Sequence, residues 1–449
     1  MKTGTEASKR AAVTVFILFL AGYLALTLTL AFCQPYGDSR NLLDPPDESV
    51  RYLVPEYICE HGALPTGLEK EVRIPGYGYS HALFNVLPYI FQAGVMRLVK
   101  LSGGSGPALL YAARLTDVFF GLLMAVTVWL TGKELFDRLS LRCLFGFGVV
   151  WQPMNLFVHS YVNTDSCCLL AVSLIMYALI RARREGYTWR NCAVLSVGVI
   201  LCALSYYNAY GTILAAIILF LAAWTERRDD RTVYRFHDML PKGIFICVTV
   251  LLGIGWWFGR QAVVLNGDML GLRTRTEMAI RYGNKEVSPL VSYQARGIGV
   301  LTMLRTEQFL PKLCGTFIAA YGSLVLKPHY AYYFVYALLY AVGFAGCIRL
   351  AVRRFRDGSW KRTLLFHLAL LLCTAAPLII LIRYAWTCDF QAQGRYMLPA
   401  LIPLILWFSK GIEAWTDKTH RWLPVCFTVL VVLLAVWQVL FVALPAYRL

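Results

Sequence analysis

Charged residues are scarce in this sequence. Only 15% of its 449 residues are Asp, Glu, Lys or Arg, whereas 58% are hydrophobic. A typical soluble domain contains about 25% charged residues, because its surface must be hydrated. The composition therefore excludes a soluble globular protein and predicts an all-α chain that crosses a membrane several times.

Among the charged residues, acidic ones are the fewer. The sequence has 26 Asp and Glu but 43 Lys and Arg, which gives a net charge of +17. Such an excess could serve nucleic-acid binding. However, the basic residues form short clusters between apolar segments, namely Lys9–Arg10, Arg181–Arg184, Arg227–Arg228, Arg353–Arg356 and Lys361–Arg362. Clusters of this kind mark the cytoplasmic loops of membrane proteins. The pattern favours membrane threading and predicts no nucleic-acid partner.

Metal-binding cysteine patterns are also missing. The thirteen cysteines include no CxxC pair and no His/Cys cluster with metal-ligand spacing. Most lie in apolar segments, where cysteine behaves as a small buried hydrophobe. We therefore predict no cofactor and no metal ligands, and leave a divalent-metal requirement open. None of the eight asparagines starts an Asn-x-Ser/Thr sequon, which is consistent with a bacterial source.

Apolar windows and their flanking basic residues predict eleven transmembrane helices. The first is long enough to span and runs directly into a loop, so we expect it to be retained rather than cleaved as a signal peptide. Eleven crossings place the N-terminus inside and the C-terminus outside. The predicted spans are 11–32, 109–131, 141–161, 166–182, 191–207, 209–224, 242–260, 329–350, 363–383, 396–411 and 421–444.

Two further apolar stretches, 80–99 and 311–326, would raise the number of spans to thirteen. Counting 80–99 as a crossing would place the Arg181–Arg184 cluster outside, against the charge rule. We therefore expect both stretches to lie at the outer surface. The result is one transmembrane domain, 1–449, with two long outer segments, 33–108 and 261–328. Loops of that length in a compact protein usually carry function.

The first outer segment contains an acidic motif, Asp44-Pro45-Pro46-Asp47-Glu48, shortly after the first apolar helix. A short juxtamembrane helix is predicted to begin at Asp47 or Glu48 and to end at His61–Gly62, because acidic residues favour a helix N-terminus. Two carboxylates where the chain leaves the bilayer suggest chemistry at the membrane surface.

The ionisable residues of the spans fall at their predicted outer ends: Arg114, Asp117, Asp165, Arg260, Arg383 and Arg395. Transporters tend to keep such residues near the bilayer midplane and are often built from inverted repeats, which we do not find here. Acids and arginines gathered at one leaflet suit an enzyme whose substrate is a lipid phosphate.

Four motifs lie along nearly the whole chain: Pro45-Pro46-Asp47-Glu48, Ala112-Ala113-Arg114-Leu115, Pro153 to Asp165 and Gln393-Gly394-Arg395-Tyr396-Met397-Leu398-Pro399. Together they resemble a bacterial membrane family of unassigned function related to the GT-C glycosyltransferases, such as protein mannosyltransferases and the aminoarabinose transferase. One position departs from the family pattern. Three residues after Glu48 this chain has Arg51, where the family pattern has a histidine.

This resemblance implies a GT-C-like fold and transfer of a sugar from a polyprenyl-phosphate donor to a glycan, lipid or protein acceptor of the cell envelope. The enzyme would lie in the bacterial cytoplasmic membrane with its active site outside. A carboxylate would act as general base, and arginines would stabilise the departing phosphate. The catalytic candidates are Asp47, Glu48 and Asp165, the phosphate-binding candidates are Arg395, Arg114 and Arg260, and the substrate-cavity candidates are Arg51, His81, Asn163 and Gln393.

Simpler roles stay open for these residues. Asp47, Glu48 and Asp165 could only cap helices, and Arg395 could be an interfacial anchor. Arg114 and Asp117, three residues apart, could only neutralise each other. A polysaccharide or lipid transporter is the alternative function, and a non-catalytic envelope scaffold is a third.

Overall fold

The computed structural model describes residues 6–37, 42–228, 231–284, 292–416 and 420–448. It is helical almost throughout, with eighteen α-helices in the described residues. They are α1 Glu6–Cys33, α2 Glu48–His61, α3 Leu87–Leu101, α4 Pro107–Leu135, α5 Leu139–Val150, α6 Pro153–Val158, α7 Asp165–Glu185, α8 Trp189–Ala203, α9 Tyr210–Ala222, α10 Phe236–Val264, α11 Leu272–Tyr282, α12 Val300–Thr306, α13 Phe309–Ile318, α14 Tyr330–Arg356, α15 Leu364–Thr387, α16 Leu401–Trp415, α17 Leu423–Trp437 and α18 Leu444–Arg448.

Shorter elements connect these helices. There are 3-10 turns at His81–Leu83, Tyr207–Ala209, Ser359–Arg362 and Gly394–Ala400, and a π-helical turn at Gln438–Ala443. Between α9 and α10 the chain forms an antiparallel hairpin of two four-residue strands, β1 Thr225–Arg228 and β2 Arg231–Tyr234. The sequence analysis did not predict this hairpin.

The prediction of an all-α polytopic membrane protein is confirmed. In the described residues, eight helices are long and apolar enough to cross a membrane: Lys9–Cys33, Pro107–Leu135, Asp165–Glu185, Phe236–Val264, Tyr330–Arg356, Leu364–Thr387, Gly394–Trp415 and Leu423–Arg448. Each coincides with a predicted span. The other three predicted spans fall on shorter apolar helices, which include α5, α8 and α9.

The predicted span 141–161 is not one continuous helix. Helix α5 ends at Val150, and α6 begins at Pro153. A residue before proline is disfavoured in the α conformation, and Gln152 is accordingly extended. Its side-chain oxygen caps α6 by accepting from the Asn155 backbone N–H at 2.8 Å. The break directs the chain after α6 into the loop that precedes α7.

Helix α7 is central to the fold. In its most apolar 18-residue stretch 83% of the residues are buried, and the helix packs between α4 and α8. Helix α10 is peripheral, since none of its apolar window is buried. Helices α2 and α3, within the segment 33–108 that is predicted to lie outside, pack on each other, and α3 packs on α4. The turn Gly394–Ala400 contacts α6, α7, α13 and α15. These contacts bring the two distant acidic and basic motifs to one end of the bundle.

Helices α14 and α16 approach most closely at three glycines. A Cβ on Gly411 would overlap the Gly343 carbonyl, and one on Gly346 would overlap the Gly411 carbonyl. Small residues of this kind let membrane helices pack backbone to backbone.

We therefore expect Gly411→Val to destabilise the protein by about 1–3 kcal/mol or more, as overpacking does. Thermal unfolding in detergent micelles measures this. The control is Gly255→Ala in α10, where no atom lies within 4 Å of an added Cβ. Equal unfolding temperatures for the two variants would contradict this helix contact.

Candidate active site

The acidic motif forms a tight turn that ends at Asp47. This residue has φ 62° and ψ 5°, a left-handed conformation that is uncommon for residues other than glycine. Asp47 holds the N-cap position of α2, but its side chain makes no capping hydrogen bond. Its carboxylate is thus turned away from the helix that follows, and the simple capping role does not describe it.

The carboxylate of Asp47 is instead paired with Arg395, with 2.5 Å between Oδ2 and Nη2. The two partners differ greatly in exposure, since the Asp47 side chain is 44% exposed and that of Arg395 only 1%. Protein atoms surround Asp47 on several sides, yet solvent reaches it. The pair therefore consists of a solvent-accessible carboxylate, that of Asp47, bound by a buried guanidinium, that of Arg395.

All five N–H groups of Arg395 have protein acceptors, which is the full capacity of a guanidinium. Besides Asp47, it donates from Nε to Gln393 Oε1 at 2.8 Å, from Nη1 to the Tyr161 hydroxyl and the Pro46 carbonyl, and from Nη2 to the Tyr396 hydroxyl at 3.0 Å. The Tyr396 hydroxyl donates in turn to Gln391. Arg395 thus fixes the turn of the acidic motif, not only its carboxylate.

The backbone before Arg395 is held closely. A Cβ on Gly394 would overlap the backbone of Phe317, and the Gly394 N–H donates to Thr316 Oγ1 at 2.8 Å. The glycine is therefore required by close approach of two chain segments. This contact explains how the turn Gly394–Ala400 delivers Arg395 to the acidic motif.

Charge neighbours set the ionisation of Asp47. Desolvation acts to raise the pKa of this carboxyl, but the positive charges of Arg395 and Arg51 outweigh it and hold the pKa below its usual value. Asp47 is accordingly a carboxylate over the whole neutral range of pH.

Glu48, the next residue, lies in the opposite environment. It is buried, and both its oxygens bind Arg114, at 2.8 Å to Nε and 2.5 Å to Nη2. Its Oε1 also accepts from the Val162 backbone N–H at 2.8 Å. Burial raises the pKa of Glu48, and the Arg114 charge acts against that rise. Both carboxylate oxygens of Glu48 are therefore occupied by protein donors and are not open to a substrate.

Arg114 also uses all five of its N–H groups. Besides Glu48, it donates to the backbone carbonyls of Ala31, Gln34 and Pro35 at the end of α1. The alternative that Arg114 and Asp117 pair with each other is wrong, because Asp117 accepts instead from Gln92 and Ser166. The pair of Glu48 and Arg114 joins α1, α2, α4 and the loop before α7.

Arg51 and Asp165 lie near the Asp47 pair and are only partly satisfied. Arg51 donates to Thr164 Oγ1 at 3.0 Å and to the Tyr89 hydroxyl at 3.4 Å. Within the described residues, Arg51 Nε and Asp165 Oδ2 are buried without a hydrogen-bond partner. Burial acts to lower the pKa of Arg51, but Tyr89, Asp165 and Asp47 raise it. Arg51 therefore bridges the two carboxylates electrostatically, at the position that departs from the family pattern.

The remaining predicted site residues have separate places. His81 is half-buried beside Asp47, and desolvation together with the Arg51 charge lowers its pKa to about 3, so the ring is neutral. Asn163 is fully buried and accepts from the Ser166 backbone N–H at 2.9 Å, as a cap of α7. Arg260 lies elsewhere and donates to the carbonyls of Leu64 and Pro65.

The sequence analysis brought forward Asp47, Arg395 and Gln393 but missed the tyrosines. Tyr161 and Tyr396 hold Arg395, and the signal for each was only that it lies within one of the motifs that carry the family resemblance, without a role assigned to it. In the part of the chain that the structure describes, no three His, Cys, Asp or Glu side chains are grouped so as to hold a metal ion.

Comparison with protein families gives one match. A family model described as a predicted membrane protein (DUF2142) matches residues 67–405, about three quarters of the chain. Asp47, Glu48 and Arg51 precede the matched residues, whereas Asp165 and Arg395 lie within them. No curated protein matches the chain in sequence.

Comparison with solved structures identifies the fold. The archaeal oligosaccharyltransferase AglB from Archaeoglobus fulgidus, solved with an inhibitory peptide and a dolichol-phosphate, superposes with a TM-score of 0.55 at 15% identity, covering 99% of this chain and 56% of that protein. An Archaeoglobus fulgidus oligosaccharyltransferase tethered to an acceptor peptide gives 0.49 at 17% identity, covering 96% and 55%. This chain thus spans just over half of the length of these enzymes. The first superposition shows that its fold is GT-C-like.

The two adjacent acids should differ in what they contribute to stability. Glu48→Gln leaves the buried Arg114 charge without its counter-ion, which typically costs about 3–5 kcal/mol. We expect a clear fall in the unfolding temperature of the purified protein in detergent. Asp47→Asn is the matched control. It also removes the counter-ion of a buried arginine, but its effect should be smaller, because the Asp47 side chain is 44% exposed and solvent screens this pair. A larger fall for Asp47→Asn than for Glu48→Gln would reverse these assignments.

Proposed function

Since the chain belongs to the DUF2142 family of predicted membrane proteins, and its fold is that of GT-C glycosyltransferases, we propose that it is an integral membrane glycosyltransferase. It transfers a sugar from a polyprenyl-phosphate donor to a glycan, lipid or protein acceptor at the outer face of the membrane. The observation that carries this proposal is the accessible Asp47 carboxylate held by the buried Arg395.

In this reaction Asp47 is the general base. The acceptor oxygen forms a bond to the anomeric carbon while the bond from that carbon to the phosphate oxygen breaks. The acceptor proton passes to Asp47, and the polyprenyl phosphate leaves with the electron pair of the broken bond. A glycosyl phosphate already has a good leaving group, so no second carboxylic acid is required to protonate it.

Arg395 makes Asp47 a weaker base but keeps it ionised and oriented. The acceptor hydroxyl becomes strongly acidic as it bonds to the sugar, so a weak base in a fixed position suffices. With its five donors occupied, Arg395 is a positioning residue in this scheme rather than a phosphate ligand. Gln393, Tyr161 and Tyr396 support it in that role.

Arg51 and Asp165 complete the charged environment. The unpaired Arg51 Nε and Asp165 Oδ2 supply a donor and an acceptor in a buried place next to Asp47. Buried polar atoms of this kind call for a partner, because leaving them unpaired costs about 1–3 kcal/mol each. We assign them to substrate contact, whereas Glu48 and Arg114 keep the frame and Arg260 ties down the first outer segment.

Asp47→Asn is expected to reduce sugar transfer by about a hundredfold to ten-thousandfold, because an amide cannot accept the acceptor proton. The assay incubates purified protein with a panel of labelled polyprenyl-phosphate sugars and follows the label into product. Asp357→Asn, an exposed acid at the far end of α14, is the control. Full activity of Asp47→Asn would exclude Asp47 as the base.

Arg395→Gln tests the positioning role through the pH dependence of transfer. In the native protein the pKa of Asp47 lies below its usual value, so activity should persist as the pH falls through the ordinary range of an aspartate. Without the Arg395 charge, desolvation is less opposed and the pKa of Asp47 rises. The acidic limb of the rate profile should then move to higher pH. An unchanged limb in a folded variant would show that Arg395 does not act through Asp47.

A further inference from the structure

The three arginines predicted to bind the donor phosphate already donate hydrogen bonds to protein acceptors. Arg395 and Arg114 each donate five hydrogen bonds to protein acceptors, and Arg260 donates to two loop carbonyls and a glutamine. An enzyme of the proposed kind still needs a positive group that the donor phosphate can reach. The second outer segment supplies one that no motif indicated.

That group is Arg275, on α11. Its guanidinium is half-buried and lies 4.8 Å from the centre of the Tyr79 ring and 5.9 Å from that of Phe84. The hydroxyls of Tyr79 and Tyr384 are beside it. In the described residues no carboxylate is ion-paired with Arg275, and its direct partners are the two tyrosine hydroxyls, so its positive charge has no contacting counter-ion. Such a charge is available to an anionic ligand.

Helix α11, which carries Arg275, packs on the 3-10 turn His81–Leu83, and the same turn contacts α2, the helix that begins after Asp47. Desolvation lowers the pKa of the His81 ring most. The charges of Arg51, Arg395 and Arg275 lower it further, whereas the charge of Asp47 raises it. Asp389, another carboxylate near these residues, is bound by Gln391 at 2.8 Å. Arg275 and Asp47 therefore lie on elements that meet at one turn, and the ion pair of Asp47 is with Arg395, not with Arg275.

Four tyrosines are grouped around Arg275, and we call Tyr77, Tyr79, Tyr207 and Tyr384 the tyrosine cluster. Tyr207 is 42% exposed and Tyr77 is 37% exposed, so this surface is open to solvent. From Tyr207 the aromatic contacts continue through Tyr206 to Tyr396, which holds Arg395. Aromatic rings and a cation on one open surface suit a sugar joined to a phosphate.

We propose that Arg275 binds the phosphate of the lipid-linked sugar donor and that the tyrosine cluster places the sugar between Arg275 and Asp47. This inference rests on the proposed function and adds the phosphate-binding residue to it. The chemistry recognised is a polyprenyl-linked phosphate, which a monophosphate or a diphosphate carrier would provide.

The test measures binding of polyprenyl monophosphate and polyprenyl diphosphate to the purified full-length protein in detergent, by microscale thermophoresis. Arg275→Ala should weaken binding of the preferred carrier roughly tenfold or more, the value of a charged hydrogen bond. Arg275→Lys should recover part of it, because the charge remains. Polyprenol, which lacks phosphate, should bind the native protein and Arg275→Ala equally.

Arg273→Ala is the matched control. Arg273 is on the same helix two residues earlier, but it donates to the carbonyls of Leu265 and Asn266 and lies 3.7 Å from Glu277. Its loss should leave carrier binding unchanged. Thermal unfolding checks that each variant is folded.

The outcomes separate the two proposals. If the native protein binds neither phosphate carrier, the proposed function fails. If the native protein binds one of them and a folded Arg275→Ala binds it equally well, the role of Arg275 is overturned and the proposed function stands. If Arg273→Ala weakens binding as much as Arg275→Ala, the effect is one of general surface charge and the inference is also overturned.

Discussion

The buried pair of Glu48 and Arg114 is the interaction on which the rest of the site depends. Six hydrogen bonds meet there across four parts of the chain, because Arg114 binds the end of α1 as well as Glu48, and Glu48 binds the loop before α7. An ion pair without solvent is tolerated only when its remaining hydrogen-bonding capacity is satisfied, and here it is. Its position fixes the start of α2 and therefore the turn that carries Asp47. The neighbouring residue can then be exposed without being mobile.

Two adjacent carboxylates thus have opposite tasks because their surroundings differ. Glu48 is desolvated and stabilises the structure, whereas Asp47 is accessible and is kept charged by Arg395. The second arrangement costs the site some basicity and also some backbone strain, since Asp47 takes a left-handed conformation. Strain of this kind is found where the surrounding structure holds a residue for function. Both arginines are saturated, which leaves phosphate recognition to groups outside these pairs.

Much of the fold could be predicted from the sequence, because membrane spans depend on local hydropathy and charge. The same reasoning found Asp47 and Arg395, since both stand out in short motifs. It could not assign partners: whether Arg114 pairs with Glu48 or Asp117 depends on how α2 packs against α4, which no local pattern encodes. It proposed Asn163 for the substrate cavity from a motif alone and could not foresee that this side chain is buried and accepts from the Ser166 backbone N–H at the start of α7. Arg275 has no motif around it, and only the packing of α11 against the first outer segment brings it near the site.

The central claim is that Asp47 is the base at the reacting carbon of a lipid-linked sugar. The most direct measurement is a structure of the protein with a polyprenyl phosphonate sugar, in which carbon replaces the bridging oxygen so that the sugar cannot be transferred. If Asp47 is the base, the anomeric carbon lies beside Asp47, with room for one acceptor oxygen within about 3 Å of the carboxylate. A sugar bound with its anomeric carbon turned away from Asp47, or bound at another end of the bundle, would contradict it.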